Sequence, residues 1–505
     1  MSDQLLERVL KSRVYEVVSE TPLDRAGELS ERLGSEVWLK REDTHPGVFS
    51  FKIRGAYNRI AALTKQERAR GVVAASAGNH AQGVALAASR LGIEALIVMP
   101  LTTPEIKVRA VARWGAAIEL FGDSYDEAAA QARLRCDERG AVFVHPYDDL
   151  DVIAGQGTVA LEILRQAREL DAIFVPVGGG GLIAGVAAYA KSLYPKLRII
   201  GVEPEDAGSL SAALAAGERV TLDRVGLFAD GVAVRQVGEL PFEFARRYVD
   251  QVVLVSSDEI CGAIKDIFEA TRSVVEPAGA LALAGLKRWS DSSGERDKRW
   301  VAVVSGANVN FDRLRYVAER AEIGEAREAL LAVAIPERPG SFLEFVRLLS
   351  NHSITEFNYR YATAERAHVF VGLALPSGPH ALPGVMARLQ AAGLEVTNLT
   401  GDELAGLHVR FMVGGRAPGD VRNERLYRFE FPERPGALRD FLTYLGGRFN
   451  ITLFHYRNHG AAYGRVLVGL DVPDEQLNEL TAFCAELGYE NREETANPAY
   501  RLFLS

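Results

Sequence analysis

A chain of 505 residues exceeds the size at which one hydrophobic core keeps growing, so two or three domains are expected. Hydrophobic residues make up 48% and charged residues 25%, the balance of an ordinary globular protein, and a net charge of −9 with scattered lysine and arginine argues against nucleic acid and anionic membrane surfaces as partners. Three widely spaced cysteines, Cys136, Cys261 and Cys484, argue against a disulfide framework and against a metal site.

The first residues, "MSDQLLERVLKSRVYEVV", scatter charge through what would be the apolar core of a signal peptide, and no run approaches the ~18 apolar residues of a membrane span. A cytoplasmic protein is expected. From Val37 to about Asn308, short runs rich in Val, Ile and Ala ("VVAAS", "ALIVMP", "AIELFG", "VFVHP", "DAIFVPV", "RIIGVEP", "VVLVSS", "WVAVVSG") alternate with helix-compatible segments and end in Gly, Pro or Ser. This is the cadence of α/β structure built from βα units, with strands buried on both faces. Ligands in such folds collect at the carboxyl ends of strands, so the loops there are where chemistry is sought.

Four of these places carry unusual residues. In "GVFSFKIRGAYNRI", Lys52 stands between Phe51 and Ile53, an apolar setting that lowers a lysine pKa if the site is buried. In "VVAASAGNHAQGVALA", Ser76, Ala77, Gly78, Asn79 and His80 join a strand to a helix, where backbone amides can converge on an anion. In "DAIFVPVGGGGLIAGVAAYA", Gly178, Gly179, Gly180 and Gly181 precede Leu182 and a helix, a pattern that lets backbone approach a phosphate closely. Ser305 ends the strand of "VVSGAN". The glycine run also reads as Gly179-x-Gly181-x-x-Ala184 with Glu203 about 20 residues on, so a nicotinamide dinucleotide stays open on that segment alone. "GQGTVA" at Gly155 reads as a helix start, and no Walker phosphate loop occurs.

After Phe311 a charged helical stretch, "RLRYVAERAEIGEAREALLAV", looks like a connector. Beyond it the chain repeats itself. Pro-Glu-Arg-Pro-Gly starts at Pro336 and again at Pro432, and Ile-Thr-x-Phe-x-Tyr-Arg at Ile354 and again at Ile451. Each copy reads as a ferredoxin-like βαββαβ unit whose last strand is "LHVRFMV" or "YRLFLS". Either a dimerising appendage or a paired small-molecule sensor fits.

Taken together, "SFKIRGA", "SAGNHAQG", "GGGGL" and "VVSGAN" occur in an order and spacing that resembles the pyridoxal-phosphate enzymes related to the tryptophan synthase β subunit. Within that group, the C-terminal repeats make the chain similar to biosynthetic threonine dehydratase (threonine ammonia-lyase). The resemblance implies a fold-type II catalytic domain of two αβα subdomains over residues 1–320, a connector at 321–330, and ACT-like repeats at 331–413 and 427–505.

It also implies roles. Lys52 would be the internal aldimine lysine and Phe51 a wall of the cofactor ring. Asn79 would bond the ring oxygen, Gly178 to Gly181 with Leu182 would cradle the phosphate, and Ser305 would face the pyridine nitrogen. Ser76, Ala77, Gly78, Asn79 and His80 would clamp the substrate carboxylate. The implied reaction is elimination of L-threonine to 2-oxobutanoate and ammonia, with L-serine going to pyruvate. The implied effectors are isoleucine, which inhibits, and valine, which opposes it, at Phe357, Asn358, Tyr359, Leu453, Phe454 and Tyr456. A homotetramer is implied as well. A β-replacement enzyme would share Lys52 and the glycine loop but needs a second substrate, a catabolic dehydratase is shorter and lacks the double repeat, a silent amino-acid sensor would require that Lys52 or Asn79 had been lost, and an oxidoreductase is the most distant alternative.

Overall fold

The computed structural model describes residues 2–504, apart from 312, 325–327, 350–351, 364, 376–377, 408, 413, 417–420, 433–436, 446 and 458–462. The repeated Glu-Arg-Pro-Gly that follows Pro432 lies outside the described residues. The chain divides into two compact units, Met1–Gly324 and Glu325–Ser505.

The first unit holds two sheets. Six strands lie in the order Leu23–Arg25, Glu36–Arg41, Arg299–Val304, Ala172–Pro176, Arg198–Pro204 and Gln251–Val255. All are parallel except the first. Alternate residues of one strand enter different cores. Val301 and Val303 pack with Leu5, Ile153 and Ile183 on one face, while Trp300, Ala302 and Val304 pack with Ile260, Leu281 and Val317 on the other. Both faces are therefore covered, as a parallel sheet requires.

The second sheet has four parallel strands in the order Ala117–Leu120, Ala95–Met99, Val72–Ala75 and Val142–Phe143. It is covered by helices Lys52–Ala61 and Asn79–Leu91 on one face and by Tyr125–Arg139 on the other. Its outer strand, Ala117–Leu120, is only partly buried, so continuous burial does not extend to that edge.

Gly155 is not a helix start. It lies in the middle of helix Leu150–Gln166, where a Cβ would come within 2.7 Å of the Arg54 carbonyl oxygen. Gly185 of helix Gly181–Leu193 is likewise pressed to 2.4 Å from the Ile153 carbonyl oxygen by the same measure. These glycines let three helices cross at backbone contact, which explains a Gly-x-Gly with no ligand.

The second unit is one eight-stranded antiparallel sheet. Its order is Glu395–Asn398, Glu328–Pro336, Arg366–Ala374, Ile354–Arg360, Asn450–Arg457, Tyr463–Asp471, Glu424–Pro432 and Glu490–Glu493. Each repeat supplies four strands, and the two join along Ile354–Arg360 against Asn450–Arg457. One hydrophobic core runs under both halves, from Val333 and Phe345 to Phe441 and Phe483.

The closing strands differ from the sequence expectation. The described residues of "LHVRFMV" are not a strand: Leu407 ends helix Glu403–Leu407 and Val409–Phe411 form a turn, while residues 500–503 of "YRLFLS" lie in helix Pro498–Phe503; residues 408, 413 and 505 lie outside the described residues. The true last strands, "EVTN" and "ENRE", are mostly exposed edges without an apolar alternation. The apolar residues that followed them cover the second face of the sheet instead: Ala405 packs on Leu330 and Phe370, and Tyr500 on Leu426 and Leu453.

Candidate active site

Lys52 opens helix Lys52–Ala61, directly after the bridge that ties Ser50 to Gly306. Its amine donates to the Pro146 carbonyl at 3.0 Å and lies 5.2 Å from the centroid of the Phe51 ring. Burial lowers its pKa to about 8, the Glu276 charge opposing only in part. This helix is anchored two residues further on. Arg54 is fully buried and bonds Glu42 at 2.7 Å and Glu162 at 2.6 Å, and Lys40 bonds Glu162 at 2.6 Å. Two cations and two carboxylates thus compensate one another inside the protein.

The segment Ser76–His80 leaves the carboxyl end of strand Val72–Ala75 and enters helix Asn79–Leu91. Ser76 Oγ accepts from the Gly78 amide at 3.1 Å, and a Cβ on Gly78 would meet nothing within 4 Å, so the loop faces open space. The first amides of the helix have no partner within it. His80 points inward: its Nε2 bonds the Val144 carbonyl at 2.9 Å, and burial with the nearby Lys52 charge lowers its pKa to about 3. It is a neutral, loop-holding donor. Asn79 Nδ2 donates to Glu276 at 2.7 Å, while its Oδ1 is buried with no partner.

The four glycines follow strand Ala172–Pro176, and Gly181 begins a helix. Side chains do not fit here. A Cβ would fall 2.2 Å from the Tyr147 ring at Gly179, 2.8 Å from the Val232 backbone at Gly178, and 2.9 Å from Tyr147 at Gly181, while Gly180 adopts φ +89°. Leu182 is buried in the helix that follows. Ser305 ends strand Arg299–Val304, is 3% exposed, and donates to the Ala278 carbonyl at 3.1 Å, and its own carbonyl accepts from the Phe51 amide.

Two contributors escaped the sequence reading. One is the segment His145–Asp148, which links Lys52 (through Pro146) to the glycine loop (through Tyr147). His145 Nδ1 accepts from the Asp148 amide at 2.8 Å, and burial lowers that histidine to about 4. Its signal was present, since "VFVHP" ends a strand. The other is Glu276, whose position ahead of Pro277 gave no hint of Asn79. Glu203 is not poised for a ribose: it is fully buried and accepts the Leu210 and Ser211 amides at 2.8 Å, capping a helix.

An amine near neutrality, a glycine cradle closed to any Cβ and a buried hydroxyl at a strand end together suit pyridoxal phosphate. Residues 14–306 match the pyridoxal-phosphate dependent enzymes, and 319–409 and 415–504 match the C-terminal regulatory domain of threonine dehydratase. A biosynthetic L-threonine dehydratase of Burkholderia multivorans is 54% identical, with 100% of both chains covered. The chain belongs to the biosynthetic threonine dehydratase family of pyridoxal-phosphate dependent enzymes. Its Escherichia coli relative is 52% identical over 99% of this chain and 97% of that one. Among solved structures, the processed form of threonine deaminase isoform 2 from Solanum lycopersicum is 47% identical with a TM-score of 0.63, covering 64% of this chain and 88% of that one. The family assignment makes pyridoxal phosphate the cofactor and removes the dinucleotide reading.

The six regulatory positions do not share one surface. Phe357, Tyr359, Phe454 and Tyr456 are buried in the core of the second unit, where Phe357 pairs with Tyr456 and Tyr359 with Phe454 across the joint between repeats. Asn358 and Leu453 point to the opposite face, Asn358 toward the Arg410 carbonyl and Leu453 toward Tyr500. No helix among the described residues is long and apolar enough to cross a membrane.

Proposed function

We propose that the protein converts L-threonine to 2-oxobutanoate and ammonia, and L-serine to pyruvate and ammonia, as a cytoplasmic homotetramer regulated by isoleucine and valine. When bound, pyridoxal phosphate supplies the electron sink that acidifies the α-hydrogen of the amino acid. Amides of Gly178 to Gly181 would hold its phosphate, Ser305 Oγ would partner the pyridine nitrogen, and the Asn79 amide would donate to the ring oxygen. A neutral hydroxyl at the nitrogen leaves that ring less electron-withdrawing than a carboxylate partner would.

Ser76 and the amides through His80 hold the substrate carboxylate and so orient the α-hydrogen. Lys52, once its amine is free, takes that proton as general base. The observation that carries this reading is the Lys52 amine itself. Desolvated to a pKa of about 8 and bonded to a carbonyl instead of a carboxylate, it is an amine that can lose its charge near neutral pH. Purified protein should be yellow, should lose that colour on borohydride reduction, and should release 2-oxobutanoate from threonine. Colourless protein inert toward threonine would end the proposal.

Effector binding is assigned to the narrow surface cleft lined by Arg338, Gly340, Phe342, Leu445, Phe449 and Asn450. Asn450 bonds Glu337 at 3.2 Å, and Glu337 also accepts from the Tyr359 hydroxyl, so an occupant of the cleft would be felt at the strand joining the repeats. Regulation requires that isoleucine bind one state better than another. Saturating isoleucine should shift the threonine rate curve and valine should reverse the shift, and an unmoved curve would refute it.

A further inference from the structure

Glu276 packs against the proposed cofactor site and has no part in the mechanism above. It is 4% exposed, stands immediately before helix Pro277–Ser293, and accepts from Asn79 Nδ2 at 2.7 Å. A Cβ on Gly306 would fall 2.6 Å from its Oε1, so the carboxyl is wedged between Gly306 and Asn79. In this pairing the amide nitrogen is engaged with Glu276, and Oδ1 is left buried with no donor. An acceptor buried without a donor is unfavourable.

The two ends of an asparagine amide fill nearly the same space and differ only in donating or accepting. A separation of 2.7 Å between Asn79 and Glu276 suits an acid O–H given to Oδ1 as well as an N–H given to a carboxylate. With the proton on Glu276, Oδ1 gains its missing donor and the nitrogen is released.

The groups facing Glu276 bear on that proton. Burial and the Asp230 carboxylate disfavour its charge, while Asn79, Lys107 and the Asn308 amide favour it, and the carboxyl is pushed up to about 7. Lys107 is bonded to Asp230 at 2.7 Å and Arg313 lies 3.7 Å from the same carboxylate, so much of their charge is already countered. Lys52 is the remaining cation that senses Glu276. An anionic cofactor beside it would raise the carboxyl further.

We propose that Glu276 is a positioning residue that works as the neutral acid, donating to Oδ1 of Asn79 so that the amide nitrogen is free to donate to the ring oxygen of the cofactor. The inference rests on the reading of Asn79 as the partner of that oxygen. It moves no proton during turnover: the hydrogen stays on Glu276.

The test uses the holoenzyme at neutral pH. Infrared difference spectroscopy of wild type against Glu276→Gln should show a protonated carboxylic acid band that disappears in the variant, and a carboxylate pair in its place would overturn the proposal. Glu276→Gln can still donate to Oδ1 and should keep the visible absorption band of the cofactor. Glu276→Leu cannot, and should shift that band and weaken cofactor retention by about tenfold or more, matching the orphaned-acceptor cost. An unshifted band in Glu276→Leu overturns the proposal. Asn79→Ala separates the two layers. If it leaves the band unmoved, the reading of Asn79 fails, whereas a shift there with none in Glu276→Leu defeats only the role of Glu276.

Discussion

In the first unit the chemistry-bearing groups gather at the carboxyl ends of parallel strands, on residues 76–80, 145–148, 178–181 and 305, while the sheet faces are apolar except where Lys40 meets Glu162 and Glu203 caps a helix. The second unit is arranged otherwise. Its antiparallel sheet has one apolar face, and on the other it buries charge: Arg410 lies 2.9 Å from Glu356 and 3.4 Å from Glu328, and Arg360 lies 2.5 Å from Glu424. A parallel sheet covered by helices on both sides leaves only its ends free for ligands. An antiparallel sheet has a second face to cover, and here short helices close it over ion pairs.

The repeats also show how far internal symmetry goes. Glu328 is bonded by Thr355, and at the matching place Glu424 is bonded by Thr452. The cation differs. Arg410 comes from the segment after its own repeat's last strand, whereas Arg360 reaches Glu424 from the other repeat.

Variants can break this comparison. The largest effect is expected from Lys52→Ala, which removes the general base and should lower oxoacid release from threonine by at least about 10²–10⁴-fold. Undiminished release would refute the site. Next, Arg54→Met strands Glu42 and Glu162 without their shared cation, and should lower the free energy of unfolding by about 3–5 kcal/mol in denaturant titrations while loosening the cofactor. Arg410→Met should also destabilise the protein, yet leave the cofactor absorption band unchanged. If it bleached that band, the division of labour between the two units would be wrong. A smaller effect is expected from Gly179→Ala, whose new methyl meets the Tyr147 ring: overpacking of about 1–3 kcal/mol should appear as roughly 10–100-fold weaker cofactor retention.

The smallest concerns pH. Burial raises the Glu203 carboxyl to about 7, so the folded state holds this proton more tightly than the unfolded chain. Its contribution is complete below the ordinary carboxylate pKa and is lost as pH rises through about 7. The midpoint of thermal unfolding should therefore fall over that interval, and Glu203→Gln should flatten the fall. An equal slope in both proteins would assign the effect elsewhere.

The sequence pattern reached furthest where one physical demand acts alone. Buried parallel strands need unbroken apolar runs, and a glycine cradle excludes every side chain, so the catalytic architecture and residues 178–181 were readable. Edge strands such as Glu490–Glu493 carry neither signal, and their apolar neighbour "YRLFLS" answered to the far face of the sheet, so it read as the wrong element. The contacts that Glu276 and Tyr147 make were invisible for another reason. Each acts on a residue far away in the chain, Asn79 and Gly179 respectively, and only folding brings them together. The aromatic positions 357, 359, 454 and 456 were legible as a stripe, but a stripe does not say whether it meets a ligand or its own core.

The account depends most directly on where the cofactor is attached. Borohydride reduction of the holoenzyme, followed by proteolysis and peptide mass analysis, should place a single reduced pyridoxyl-phosphate adduct on the peptide that contains Lys52. An adduct on any other lysine, or none on a protein that still turns over threonine, would contradict it.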